Sequence, residues 1–129
     1  MKKLIAITGL ALLTATGAAL ADGDAAKGEK VFKKCKACHQ IGEDAKNRVG
    51  PILTGVVGRK IASVEDFKYS KAFQEKAEAE PDFVWTEENI SEYLTKPRAF
   101  IKKNKMAFAG LKKEQDRADV IAYLKSFSE

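Results

Sequence analysis

The run Cys35-Lys36-Ala37-Cys38-His39 constrains this chain more than any other feature of it. Two thiols at i and i+3 lie on the same side of one helical turn, so both reach one edge of a flat ligand. An imidazole directly after the second thiol then swings beneath the centre of that ligand. This is the pattern of covalent haem attachment, with thioether bonds from the cysteines and the histidine on one face of the iron. A chain built this way folds around its cofactor. His39 is the only histidine, and Met106 the only methionine besides the initiator. One imidazole and one thioether fill both axial positions of a six-coordinate haem iron, and a thioether there favours the reduced state.

Three rival readings use some of the same residues. A structural zinc site needs four ligands, and the two cysteines and one histidine have no second pair at ligand spacing. A thioredoxin-like disulfide exchanger also carries Cys-x-x-Cys, but on a βαβ framework for which the chain shows no strand alternation. The third rival keeps the haem and leaves the sixth position open, as in a peroxidase or gas sensor. Met106 then becomes ordinary core packing.

Residues 1–21 read as an export leader. Lys2 and Lys3 precede an apolar stretch from Leu4 to Leu20, which ends at Ala19-Leu20-Ala21 ahead of the polar Asp22-Gly23-Asp24. A membrane anchor is the alternative for so long an apolar run, and the small residues at its end favour cleavage. Residues 22–129 then form one domain, periplasmic and monomeric. Losing Lys2 and Lys3 lowers the formal charge from +5 to +3, too little to indicate nucleic acid without a motif. Export into an oxidising compartment would ordinarily make two cysteines a disulfide; the adjacent His39 argues otherwise.

The rest of the chain reads as all-α. Asp24 caps a helix from about Ala25 to Lys34, with Gly28, Val31, Phe32 and Cys35 on one face. A glycine-rich connection follows, from Gln40 to about Ser63. A loop of that length is unusual in a small domain, and becomes reasonable if it wraps a large ligand. Ser70 to Glu80 reads as a short surface helix stopped by Pro81. Thr86 caps a further helix, Glu87 to Thr95, which ends because Pro97 forces Lys96 out of helical geometry. A last helix spans about Lys113 to Ser126.

Taken in order, Cys35-Lys36-Ala37-Cys38-His39, the run Val49 to Arg59, Lys105-Met106-Ala107-Phe108-Ala109-Gly110 and Asp119 to Lys125 resemble class I cytochrome c across the whole mature domain. The resemblance implies a small cytochrome c fold with its N- and C-terminal helices crossing and one haem c. It makes Cys35 and Cys38 the thioether positions and His39 and Met106 the axial ligands. Pro51 falls where a carbonyl orients the histidine. Arg59, Tyr69 and Trp85 match positions around the haem propionates, and Tyr93 matches a tyrosine near the methionine sulfur. Gly28 and Phe32, with Val120 and Tyr123, match the helix crossing. Two departures stand out: Lys103-Asn104 replaces a frequent Gly-Thr, and the segment from Ser70 to Val84 is several residues longer than in the compact pattern. Within it, Phe73 falls near an expected internal polar group.

A six-coordinate, covalently held haem leaves no site for substrate, so the expected function is one-electron transfer by a soluble carrier and not enzymatic catalysis. The resemblance implies a basic docking face made of Lys34, Arg48, Arg98, Lys105, Lys112 and Lys113, meeting acidic redox proteins. Expected donors and acceptors are a quinol–cytochrome c reductase complex and a terminal oxidase, photosynthetic reaction centre or periplasmic reductase. The alternative is a haem enzyme or sensor with an open sixth position.

Overall fold

A computed structural model describes residue 9 and residues 22–128. The leader expected over residues 1–21 therefore lies, Gly9 apart, outside the described residues. Among the described residues five helices follow one another: α1 Ala25–Phe32, α2 Lys71–Ala79, α3 Glu87–Thr95, α4 Pro97–Phe100 and α5 Glu114–Lys125. Among the described residues the only β pairing is an isolated antiparallel bridge between Lys60 and Val84. No described helix is long and apolar enough to cross a membrane.

The caps expected at Asp24 and Thr86 are in place. Asp24 accepts from the Lys27 N–H and Thr86 from Asn89, and Ser70, at the start of α2, likewise accepts from Phe73, each satisfying an otherwise orphaned helix donor. Helix α1 stops at Phe32, two residues earlier than expected, and the chain continues in turns through Cys38. Pro97 ends α3 as expected. It also opens α4, because a proline at a helix's first position gives up only an N–H that has no intrahelical partner.

Helices α1 and α5 pack against each other at the crossing of the chain ends. A Cβ added to Gly28 would stand 2.8 Å from the Tyr123 Cβ, so the missing side chain is what lets the backbones meet. The Phe32 and Tyr123 rings lie 5.2 Å apart beside it. Phe32, Val56, Ile61, Trp85, Ile90, Tyr93, Val120, Ile121 and Leu124 form one buried cluster with Ile101 and Leu111.

The long connection between α1 and α2 is folded by its own polar groups. Gln40 O accepts from Leu53 N at 2.9 Å, Asn47 Oδ1 from Ile52 N at 2.9 Å, and Thr54 both accepts from and donates to the Gly42 backbone at 2.9 Å. Gly55 and Gly58 take positive φ, +71° and +86°, where a side chain would be strained.

Helix α2 corrects the expectation of a plain surface helix. Its Phe73 ring lies 6.2 Å from Trp85 and 6.1 Å from Tyr93, and Ala72 and Ala77 also face the core. Among the described residues the helix makes no close backbone approach to another helix. Its hold is through side chains: the Lys76 ammonium sits 4.8 Å from the Phe83 ring and 5.3 Å from Phe100, and pairs with Glu80.

Candidate haem site

The two cysteines sit on the turn that leaves α1. Cys35 O accepts from Cys38 N at 3.1 Å and from His39 N at 2.9 Å, which closes one helical turn. Both thiols are free and half-buried. Burial pushes the Cys35 thiol up to about 11, with Cys38 beside it adding to the rise and Lys34 opposing it. Cys35 also packs against the buried core.

His39 is fixed by one bond. Its Nδ1 lies 2.7 Å from Pro51 O; the carbonyl only accepts, so Nδ1 carries the proton and Nε2 keeps its lone pair. Burial holds the imidazole pKa below its usual value; the Pro51 bond opposes this and the Arg59 charge adds to it. The ring is therefore neutral and aimed. Gly50 makes room for it: an added Cβ would come 2.7 Å from both ring nitrogens.

Met106 reaches the same core from the other end of the sequence. Tyr93, 8% exposed, points its hydroxyl at the Met106 sulfur, 3.7 Å away. Burial raises the Tyr93 pKa well above the ordinary phenol value, so the hydroxyl stays a proton donor. Trp85 packs 5.1 Å from Tyr93, ring to ring. Its backbone N–H donates to Arg59 O at 2.8 Å, tying the aromatic cluster to the loop that carries Arg59. The Arg59 guanidinium donates to Ile52 O at 3.0 Å and Thr54 O at 3.4 Å, bracing the turn just after Pro51. Tyr69 joins through Phe73, their rings stacked 6.0 Å apart, and its hydroxyl accepts from Val64 N at 3.1 Å.

Two buried polar residues had no assigned role in the sequence. Asn104, 7% exposed, bonds three backbone groups at 2.8–2.9 Å, among them Met106 N. The Asn-x-Met spacing carried a signal, since Asn side chains favour their own backbone two residues on. Asp119, 3% exposed, accepts from Asp24 N and from Gln115 Nε2, both at 2.9 Å. Gln115 sits at the local i,i+4 spacing, but nothing local marks the tie to Asp24, which lies 95 residues away.

The residues fit a covalent haem. Two free thiols share one turn, a neutral imidazole shows a free nitrogen, and a thioether with a hydrogen-bond donor packs on the same apolar core. The rivals lack support: among the described residues no three His, Cys, Asp or Glu gather as a metal cluster, and no βαβ unit forms.

The comparisons agree. The profile of the family Cytochrome c matches residues 25–128. The chain belongs to the cytochrome c family, as a class I c-type cytochrome. A cytochrome c2 of Afifella marina is 52% identical over 102 residues, covering 79% of this chain and 81% of the relative. A cytochrome c2 of Blastochloris viridis is 47% identical and covers 99% of this chain and 95% of the relative. The solved structure of cytochrome c2 from Rhodospirillum centenum superposes with a TM-score of 0.76 at 48% identity, over 83% of this chain and 100% of that one. Membership brings covalent haem c and the role of an electron carrier, so the peroxidase-like alternative falls away and the chain is not an enzyme.

Proposed function

We propose that this cytochrome carries single electrons through a haem c attached to Cys35 and Cys38, with His39 Nε2 and the Met106 sulfur as its axial ligands. The observation that carries the reading is the His39–Pro51 bond, which leaves only Nε2 open to a metal. Backbone bonding of this kind orients a ligating histidine and raises its basicity. When bound, the group supplies a ferric/ferrous couple. The chain's own residues do the rest. Gly50 and Pro51 hold the imidazole in place, Tyr93 donates to the sulfur, and Phe73, Trp85 and Phe108 help form the apolar surround that limits water. Tyr69, Arg59 and Trp85 line the side assigned to the propionates.

The docking face is Lys34, Arg48, Arg98, Lys105, Lys112 and Lys113. All six are exposed, and none takes part in the ion pairs Lys71–Glu75, Lys76–Glu80 or Lys125–Glu87. Such a face steers acidic redox partners toward the haem edge. The donor is a quinol–cytochrome c reductase complex, and the acceptor a terminal oxidase, reaction centre or periplasmic reductase. Residues 1–21 act as the cleaved leader, and 22–129 work as a periplasmic monomer.

The test is spectroscopic. Mature protein from a host that attaches haem c should gain one haem in mass and show a sulfur-to-iron charge-transfer band at the red edge of the ferric spectrum. Met106→Ala should abolish that band. Its absence from the wild-type protein would remove Met106 as a ligand.

A further inference from the structure

We infer that Asn104 is the positioning residue for the Met106 thioether, acting through the Met106 backbone. This rests on the reading of Met106 as an iron ligand.

Asn104 is buried between two exposed lysines, Lys103 and Lys105. A buried primary amide must find partners for its donors and acceptor, and this one does. Its Nδ2 donates to Pro97 O at 2.9 Å and to Ile101 O at 2.8 Å, carbonyls at the two ends of α4. Its Oδ1 accepts from Met106 N at 2.8 Å. The side chain therefore clamps the ligand's backbone to a helix set by the buried ring of Pro97.

The chain pays locally for this arrangement. Lys103 takes φ +65°, the left-handed region that a side chain enters only against a steric penalty. That bend turns Asn104 inward. The bond from Met106 N to Asn104 Oδ1 is an Asx turn, which restricts the backbone between the two residues. Met106 is thus held twice, for different purposes. Tyr93 donates a hydrogen bond to the sulfur and draws on its lone pair, whereas Asn104 fixes where the sulfur stands.

The prediction concerns how easily the sulfur is displaced. Wild-type, Asn104→Ala and Asn104→Ser holoproteins are titrated with imidazole, which competes for the sulfur's place, and followed by the red-edge charge-transfer band. Asn104→Ala should bind imidazole roughly tenfold more tightly and show a weaker band, given what a buried hydrogen-bond clamp contributes. Asn104→Ser should fall between, because a serine hydroxyl reproduces the turn to Met106 N. Wild-type affinity and a full band in Asn104→Ala, whatever its melting temperature, overturn the inference. Should Asn104→Ala fail to accumulate, Asn104→Ser decides: about a twofold gain in imidazole affinity supports positioning, and no gain overturns it. A wild-type protein without the band instead strikes the Met106 reading itself, and the inference falls with it.

Discussion

The Asp24 backbone N–H donates to the carboxylate of Asp119 at 2.9 Å, joining residues 95 positions apart in sequence. Asp24 is also the cap of α1, so one short segment both starts the first helix and fastens it to the last. Gln115 completes the clasp, donating to Asp119 and, at 3.1 Å, to Asp22 O.

This clasp makes stability acid-sensitive. The Asp24 N–H, the Gln115 amide and the nearby Lys27 charge hold the Asp119 carboxyl below its usual value, against a smaller opposing effect of burial. A depressed folded pKa gives stability that is fully present above the unfolded value, about 3.9, and is lost as pH falls through the lower folded value. Asp119→Asn should therefore lower the melting temperature at pH 7 and flatten its decline below about pH 4. Thermal melts of both proteins between pH 6 and pH 2 check this; parallel curves count against it.

The crossing of the terminal helices has no spare volume. In Gly28→Ala the new methyl meets backbone of α5 and would stand 2.8 Å from the Tyr123 Cβ. Relief requires the helices to separate, at about 2–3 kcal/mol of stability. Denaturant unfolding should show a lower midpoint with an unchanged slope.

Gly50 is constrained in the same way, with a different consequence. Its added Cβ would press on the His39 ring, so Gly50→Ala must shift the imidazole or lengthen the Pro51 bond. The expected outcome is a lower yield of holoprotein and a changed midpoint potential. A redox titration matching wild type would show that the ring tolerates the displacement.

Tyr93→Phe removes the donor from the Met106 sulfur while keeping the ring that packs on Trp85. A donor draws electron density from the sulfur and disfavours ferric iron, so its loss should lower the midpoint potential. A hydrogen bond contributing somewhat under 1 kcal/mol to the difference between the two states corresponds to about 20–40 mV for one electron. An increase would reverse the proposed role of the hydroxyl.

Electron transfer to an acidic membrane oxidase should slow as ionic strength rises past about 0.1 M, where the screening length falls to about 10 Å. Lys105→Glu should slow it at low salt and leave the high-salt rate nearly unchanged. A rate indifferent to salt would count against the basic face.

The haem-attachment turn was legible because its chemistry is local, carried by five consecutive residues. The caps at Asp24 and Thr86 were legible for the same reason, each acting three residues onward. Phe73 and Asp119 were not. Their roles depend on partners such as Trp85, Tyr93 and Asp24, brought close only by the tertiary fold. Asn104 lies between these cases: its turn to Met106 is local, but the clamp exists only once α4 has formed. Helix α4 itself was hidden by Pro97, which serves as a stop for one helix and the first residue of the next.

Helix α2 leans on the molecule through rings and one ammonium group, without backbone contact to its fellow helices. Its amides should thus exchange with deuterium sooner than those of α1 and α5, by local opening that leaves the chain ends fastened. Opening there would leave the Asp24–Asp119 knot that ties start to finish untouched, because none of that knot's groups belongs to α2.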